Sequence, residues 1–190
     1  MSQKYLDAKP IESRKISVII KNDVFARIMN RMLSPSISAE TVRKGRSPLK
    51  GKIDSQIAME CFSVFDDGTL EKWLNSSSFD QEGHPTQRTP IISNGVQKNY
   101  IYDHNSAAID KTQSTGNANR GGRAKPRPNV SNLILVNGNR DFDEIISETT
   151  NGLFIEKTIV EWLSNPISGQ LNATVTHGQL IENGQYSPPV

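Results

Sequence analysis

The sequence predicts an α+β protein, mainly antiparallel β-sheet with a few short helices that lie mostly near the N-terminus. After residue 55, short apolar runs alternate with Asn-Gly pairs, which readily adopt the positive φ angles that tight hairpin turns require. Before residue 55, apolar residues instead recur at the spacing of an amphipathic helix. Helices and hairpins that are segregated along the chain are typical of α+β folds.

The N-terminal quarter is expected to contain one strand and two helices. Residues 16–20 are β-branched and apolar, which favours a strand. Residues 22–23 can cap a helix, because Asn and Asp side chains accept hydrogen bonds from its first free N–H groups. This helix is expected to stop at residues 34–35, which are Ser-Pro. A second short helix is expected to start at residue 36 or 38 and to end at Gly45.

The remainder of the chain favours strands joined by turns. Asn94-Gly95 is the strongest hairpin signal, because apolar runs flank it on both sides. Acids in a first turn, with Gly152 just beyond the end, predict a short helix over residues 141–148. Residues 111–129 contain three Gly, two Pro, five basic residues and no acid, which predicts a long basic loop. The strand candidates are residues 58–65, 89–93, 96–102, 133–136, 153–160, 171–175 and 179–181.

Composition excludes several classes of protein. The chain has 190 residues, and 22 Lys+Arg against 20 Asp+Glu give a net charge of +2, whereas dedicated nucleic-acid domains are usually strongly basic. A single cysteine cannot form a disulfide framework. No apolar run approaches the roughly 18 residues that span a membrane, and the polar N-terminus does not resemble a signal peptide. We therefore expect a soluble cytoplasmic protein.

The residue patterns indicate no self-evident active site. None of the histidines, His84, His104 and His177, has a second histidine or a cysteine at ligand spacing, although distant residues could still assemble a site. Cys61 lies in an apolar strand candidate and is expected to be a small buried side chain. The acidic pairs 66–67 and 80–82 are typical of turns, in which Asp bonds its own backbone.

The basic loop is the other candidate for binding. Arg120-Gly121-Gly122-Arg123 resembles a short RGG segment, which could contact phosphates through charge alone. The segment lacks interleaved aromatic residues, so a loop that faces a substrate or a protein partner is favoured over nucleic-acid binding. The adjacent glycines would also let an extended peptide approach the backbone closely.

Six short motifs occur in a fixed order along the chain. They are residues 65–69 (FDDGT), 79–86 (FDQEGHPT), 92–96 (ISNGV), 102–103 (YD), 114–120 (STGNANR) and 180–184 (LIENG). In this order and at these intervals they resemble the C-terminal domain of the TldD/PmbA family, also called modulators of DNA gyrase. The resemblance covers residues 15–190 as a single domain, preceded by a lead-in over residues 1–14, and it implies a chain shorter than family members at both ends.

The resemblance implies a particular division of labour. TldD-type members are zinc metallopeptidases with an H-E-x-x-x-H helix, and they pair with a PmbA (TldE) subunit that lacks those ligands. The pair degrades unfolded or small peptides and matures certain peptide antibiotics. Counting back from Ser47, that helix would fall near residues 30–35, which read Asn-Arg-Met-Leu-Ser-Pro, and the family's cysteine ligand would lie beyond Val190. The resemblance therefore implies a non-catalytic PmbA/TldE-like subunit without zinc or catalytic residues of its own.

The implied partners are a TldD-type subunit, which would carry the zinc, or a second copy of this chain, together with an extended peptide. The polar motif positions expected to line the peptide path, or to make turn and cap bonds, are Asp80, Glu82, Asp103, Thr115, Asn117 and Arg120. One alternative is a nucleic-acid or protein binding module that acts through residues 111–129. Another is a peptidase without the zinc helix, which would depend on His104 or Cys61.

Overall fold

Ten strands and four α-helices are found in Ala8 and residues 10–190, which the structure, a computed structural model, describes. In chain order they are β1 (Ser17–Ile20), α1 (Asn22–Ser36), α2 (Ala39–Arg43), β2 (Val64–Asp67), β3 (Arg88–Ser93), β4 (Val96–Gln97), α3 (His104–Asp110), β5 (Ala118–Asn119), β6 (Arg127–Pro128), β7 (Leu133–Leu135), α4 (Phe142–Ser147), β8 (Asn151–Ile159), β9 (Thr174–Glu182) and β10 (Gln185–Pro189). Antiparallel pairing dominates, so the predicted α+β class is confirmed. Among the described residues, no helix combines the length and apolar character needed to cross a membrane.

The contacts divide the described residues into two units, a division that the sequence does not signal. One unit comprises the residues up to Arg31 together with Asn139–Asn165 and Leu171–Val190. The other comprises Met32–Gly138 and Pro166–Gln170, so the division falls within α1.

The first unit is built on a sheet with strand order β1-β8-β9-β10. β1 runs parallel to β8, and the other pairs are antiparallel. Ile146 of α4, Phe154 of β8 and the fully buried Ile181 of β9 form its apolar cluster, against which Ile19 packs. The ring of Phe142 meets Phe154 edge-on with centroids 5.4 Å apart. α4 therefore covers one face of this sheet, as the helix predicted over residues 141–148 should.

The second unit contains an antiparallel sheet with order β4-β3-β2-β7 and the separate pair β5-β6. Its buried apolar residues include Val64 on β2 and Ile91 and Ile92 on β3. A second cluster joins α2 to the chain after β4, where Tyr100 packs against Ala39 and Val42. This unit holds five of the six motifs that carry the family resemblance, because only residues 180–184 lie on the other sheet.

The predicted turn at Asn94-Gly95 is confirmed, and its surroundings correct a predicted strand. The segment before β2 wraps around this turn: the N–H groups of Ile57 and Ala58 donate to the Gly95 carbonyl, and the Gly95 N–H donates to the Phe62 carbonyl. The segment over residues 56–63, called the clasp below, therefore bonds to this turn and does not pair as a strand. Only Val64–Asp67 is a strand. The prediction that Cys61 is buried is wrong, because the clasp leaves it exposed.

Other differences also come from local hydrogen bonds that apolar patterns do not reveal. α3 was not predicted; a capping box between Asp103 and Ser106 starts it after an apolar run that is strand only at Val96–Gln97. The predicted loop over residues 111–129 contains the two-residue strands β5 and β6. The Asn-Gly pair at residues 151–152 lies within β8 and not in a turn.

Candidate functional site

A polar groove with a volume of about 290 Å³ lies in the second unit. The lining residues are 75–77, 79–81, 86, 116–119 and 129–131. They are mostly Asn, Gln, Ser and Thr, and no lysine, arginine or histidine is among them. Two residues predicted from the motifs, Asp80 and Asn117, are brought together here although 37 positions separate them in the sequence. Two of the family motifs, residues 79–86 and 114–120, therefore form part of the groove, and residues 75–77 and 129–131 complete it.

The Asp80 carboxylate closes a tight turn and ties it to β5. Its Oδ1 atom accepts hydrogen bonds from the N–H groups of Glu82 and His84, both at 2.9 Å. Its Oδ2 atom accepts from the N–H of Ala118 at 3.0 Å. With three backbone donors on one carboxylate, Asp80 holds the groove wall in place.

Gln81 adds two hydrogen bonds along the same edge of β5 that Asp80 contacts. The Gln81 N–H donates to the Ala118 carbonyl at 3.1 Å, and its Oε1 atom accepts from the Arg120 N–H. Together the two residues satisfy three backbone groups that a neighbouring strand would otherwise satisfy. Since β6 pairs with the other edge of β5, neither edge is open for the addition of a peptide strand.

Asn117 links the groove to a buried carboxylate. Its Nδ2 atom donates to Asp66 Oδ2 at 2.6 Å and to the Asn129 carbonyl at 3.1 Å, while its Oδ1 atom accepts from Thr115 Oγ1 at 2.6 Å. Asp66 Oδ1 accepts from the Ser131 N–H at 2.8 Å. These bonds fix the amide plane of Asn117 and join three chain segments behind the groove.

Asp66 is only 1% exposed, and no cation lies against its carboxylate in the hydrogen bonds and ion pairs of the described residues. Removal from water raises its pKa above the usual value, and the hydrogen bonds from Asn117 and Ser131 oppose this only partly. The carboxylate of neighbouring Asp67 adds to the increase. A buried acid whose hydrogen-bond partners are neutral therefore lies behind Asn117, which lines the groove.

The other predicted site residues lie outside the groove lining. Glu82 Oε2 accepts from the His104 N–H at 2.7 Å, at the start of α3. Asp103 caps the same helix, and Thr115 Oγ1 accepts from the Tyr102 N–H at 2.8 Å. Arg120 contributes its backbone N–H to Gln81, and its side chain is exposed. Each of these residues has a structural bond of the kind expected of turns and caps.

Replacing Asp103 by alanine tests this structural role. Asp103 Oδ1 accepts from the Ser106 N–H at 2.7 Å, and the Ser106 hydroxyl accepts from the Asp103 N–H at 3.2 Å. Alanine keeps the backbone N–H and loses only the bond that Oδ1 accepts, which should lower the free energy of unfolding by about 1 kcal/mol, measured by urea unfolding. Asn105→Ala, at an exposed position of the same first turn, is the control and should change it much less. Equal effects of the two variants would contradict the capping role.

Arg127, in the basic segment over residues 111–129, forms an ion pair with α2 that the sequence did not predict. Arg127 Nε lies 3.8 Å from Glu40 Oε2 on α2. A hydrogen bond from Lys44, together with the charges of Arg127 and Arg43, holds the pKa of Glu40 below its usual value. One of the five basic side chains is thus partly neutralised by α2. All five are exposed, and the other four are Lys111, Arg120, Arg123 and Lys125.

The described residues do not fit a zinc centre. No group of three or more His, Cys, Asp or Glu side chains in Ala8 and residues 10–190 could hold a metal ion. Residues 30–35 lie on α1, where Arg31 Nη2 donates to the Trp162 carbonyl at 2.7 Å. A guanidinium held at this position disfavours a divalent cation by charge repulsion.

Comparison with known proteins shows that this chain is related to a domain of metallopeptidases. The profile of the PmbA/TldA metallopeptidase C-terminal domain matches residues 13–190. The chain therefore belongs to the TldD/PmbA family, as the six motifs indicated.

Individual relatives agree with this assignment. An uncharacterized protein of Methanocaldococcus jannaschii is 37% identical over 191 residues, which cover 99% of this chain and 44% of that protein. The crystal structure of a putative modulator of DNA gyrase from Thermotoga maritima has a TM-score of 0.88 and 33% identity, covering 98% of this chain and 42% of that one. TldE from Thermococcus kodakarensis gives 0.86 and 28%, with the same coverage. The chain thus spans about two fifths of these relatives.

Proposed function

We propose that this chain acts as a PmbA/TldE-type subunit of a TldD/PmbA peptidase assembly. In this role it binds a TldD-type partner, offers a polar surface to peptides and leaves the zinc chemistry to that partner. The observation that carries the proposal is α1. The family resemblance places the zinc helix at residues 30–35, and this stretch is helical here but has none of the ligands.

The composition of α1 supports a non-catalytic role in detail. Its 15 residues, Asn22–Ser36, include no histidine, no cysteine and no glutamate. Zinc sites in proteins are built mainly from histidine, cysteine and carboxylate ligands, and the family motif needs two histidines and a glutamate on this helix. Where those ligands would lie, the chain has Asn30, Arg31 and Pro35. The helical scaffold remains, and its chemistry differs from that of a TldD-type member.

The groove supports the peptide-handling part of the proposal. Its lining is polar and almost uncharged, with Asp80 as its one carboxylate, and Asp80 is fully occupied by backbone N–H groups. Such a surface suits a ligand that is itself rich in neutral hydrogen-bonding groups, as a peptide main chain is. The cytoplasmic location expected from the sequence stays a prediction.

Zinc content and molecular mass test the proposal together. The purified chain should bind far less than one zinc per molecule, and light scattering should detect a mixed complex with the TldD-type protein of the same source. Zinc in that complex should match the amount of the partner. A useful control is the same partner with its helix histidines replaced, which should remove the zinc and keep the complex.

Two results would contradict this proposal. One is a tightly bound zinc at one per molecule in the chain alone, which would make it a metal-bearing subunit. The other is a chain whose mass does not change when the TldD-type partner is added at concentrations well above those of a cell extract.

A further inference from the structure

Asn-Gly pairs occur at four places in the chain, and the proposed function gives none of them a chemical role. They are residues 94–95, 137–138, 151–152 and 183–184. Such a pair can react with itself, because the main-chain nitrogen that follows the asparagine can attack Cγ of the asparagine side chain. Glycine has no Cβ to obstruct this approach. The attack requires that nitrogen to be free of other hydrogen bonds and the backbone to be free to turn, so the fold decides which pair reacts.

Two of the pairs are held in the turns of hairpins. The Gly95 N–H donates to the Phe62 carbonyl at 2.8 Å, and Gly95 is buried. The Gly184 N–H donates to the Thr149 carbonyl at 3.0 Å. The asparagines of both pairs have positive φ angles, 48° and 51°, which belong to the turn conformation. Attack by either glycine nitrogen would therefore require the turn to open first.

A third pair, residues 151–152, lies inside a sheet. Gly152 is paired with Ser17 of β1 on one side of β8 and with Ile181 of β9 on the other. Gly152 is also buried, and a strand with a partner on each side keeps its main chain extended and bonded. This pair is therefore protected as well, although its asparagine side chain is exposed.

Asn137-Gly138 lies in neither setting. It belongs to no helix or strand, and every residue from 135 to 144 is exposed. The Gly138 N–H and the Asn137 side chain make no hydrogen bond within the part of the chain that the structure describes. No atom beyond the adjoining residues lies within 4 Å of a Cβ built on Gly138, so nothing obstructs this segment. Of the four pairs, only this one leaves the attacking nitrogen unbonded and open to water.

We propose that Asn137 is a site of spontaneous deamidation, which leaves aspartate and isoaspartate at this position. The Gly138 nitrogen forms a bond to Asn137 Cγ, and the bond between Cγ and Nδ2 breaks. Nδ2 leaves as ammonia with the proton of the Gly138 N–H, and a succinimide ring remains. Water then opens the ring: addition at Cγ gives aspartate, and addition at the main-chain carbonyl carbon gives isoaspartate. Water is the only co-reactant, and nothing is oxidised or reduced.

The reaction changes both charge and main-chain geometry at this place. Each event replaces a neutral amide by a carboxylate and lowers the net charge from +2 to +1. In the isoaspartate form the main chain between β7 and α4 also runs through Cβ and is longer by one atom. The cap of α4 lies further along, where Asp141 Oδ1 accepts from the Asp143 N–H at 2.8 Å. Because residues 137–138 make no hydrogen bond to it, the folded chain should tolerate the change, and the modified form should accumulate.

Peptide mapping of the aged protein tests this site. The purified full chain is kept at neutral pH and sampled over several weeks, and each sample is digested with trypsin at mildly acidic pH, which suppresses further deamidation. Trypsin cleaves after Lys and Arg but not before Pro, so the four pairs fall in separate peptides, residues 89–98, 124–140, 141–157 and 158–190. Tandem mass spectrometry assigns the exchange of amide for acid to a residue, and enzymatic methylation of isoaspartate measures that product.

The folded chain should convert at Asn137 at least about 10-fold faster than at the other three pairs, because those must wait for a turn or a sheet to open. In urea the four rates should become comparable, since the fold no longer protects any pair. Gly138→Ala should slow conversion about 10-fold, because its Cβ hinders the attacking nitrogen, and it should not disturb the fold. Gly121→Ala is the control: Gly121 is equally unobstructed but follows an arginine, so the rate at Asn137 should not change.

Three results would overturn the inference. One is a second Asn-Gly pair that converts as fast as Asn137 in the folded chain. Another is a folded chain that keeps its amide at Asn137 after the sample in urea has reacted, which would mean that this segment is protected. The last is a rate that Gly138→Ala leaves unchanged. The comparison of folded and urea-treated samples needs no variant, so it decides the question even if a substitution disturbs folding.

Discussion

Replacing Gly95 by alanine is expected to lower the free energy of unfolding by about 3 kcal/mol, through backbone strain and steric overlap together. Gly95 has a φ of +76°, a conformation in which an L side chain is strained. A Cβ atom at this position would also lie 2.3 Å from the Ala58 carbonyl oxygen and 2.7 Å from that of Met59. Both contacts are with backbone atoms, so neither can be relieved by rotating a side chain.

The effect should spread beyond the turn, because the clasp and the strands share it. The Gly95 carbonyl accepts from the N–H groups of Ile57 and Ala58, and β3 and β4 pair on either side. Moving the clasp by the required amount would break these bonds and expose the end of the sheet. We therefore expect a lower urea midpoint and faster hydrogen exchange of the amides in residues 56–63 and 91–97.

Gly51→Ala is the matched control. Gly51 has nearly the same backbone conformation, with a φ of +72°, and no atom lies within 4 Å of the Cβ that alanine would add. Only the conformational strain remains there, which should cost about 1 kcal/mol. If the two variants lose the same stability, the clasp is not the rigid structure described for residues 56–63.

Replacing Asp66 by asparagine is the second large change, with an expected loss of about 2 kcal/mol at low pH. Both oxygens of the buried carboxylate accept from donors, Asn117 Nδ2 on one side and the Ser131 N–H on the other. Asparagine keeps the shape but has an NH2 group, which cannot accept a hydrogen bond, where the protonated acid has a hydroxyl oxygen that still can. One of the two partners is then left facing a donor in a site that water does not reach.

The loss of stability should also depend on pH in a defined direction. Burial raises the pKa of Asp66 above its usual 3.8, so the folded chain holds this proton more tightly than the unfolded chain does. The contribution of Asp66 to stability is therefore complete below pH 3.8 and is lost as the pH rises through the higher pKa of the folded state. Asparagine does not titrate, so the gap between the parent chain and Asp66→Asn should narrow over this window.

Urea unfolding of both chains at several pH values measures this gap. Glu71→Gln serves as the control, because Glu71 is an exposed acid of the same unit, and its effect should stay within about 0.5 kcal/mol at every pH. A gap that widens as the pH rises would mean that the carboxylate is stabilised in its charged form, against the burial argument.

The sequence predicted those elements whose formation depends on residues close together in the chain. The spacing of apolar residues was enough for α1, and acids followed by a glycine were enough for α4. α1 nevertheless extends to Ser36, beyond the predicted stop, because a proline near the end of a helix interrupts few of its hydrogen bonds. Asn94-Gly95 forms its turn for the reason given from the sequence.

Elements that depend on distant partners were not predictable in this way. The run before β2 looks like a strand, and only its bonds to Gly95, more than thirty residues later, show that it is a clasp. Asp67 does make the expected turn bonds to Thr69, whereas its neighbour Asp66 is buried against Asn117, 51 residues away. The sequence gives no sign of which of two adjacent acids faces inward.

The groove was predictable only in part for the same reason. Asp80 and Asn117 were found because they belong to family motifs. Asn75 and Asn129 belong to none of the motifs. They line the groove because two segments that are far apart in the sequence come together in the fold, which the sequence alone does not predict. The full set of amide side chains that line the groove is therefore visible only once the fold is known.

Asp80 and Gln81 make the hydrogen bonds to β5 that a neighbouring strand would otherwise make. Their side chains complete the hydrogen bonding of β5, so the FDQEGHPT motif encodes architecture. A working peptidase and a catalytically silent relative would need this architecture equally. Detecting the motif in a genome therefore reports that the scaffold is present, and the six positions at the end of α1 must be inspected before any protein that carries it is counted as an enzyme.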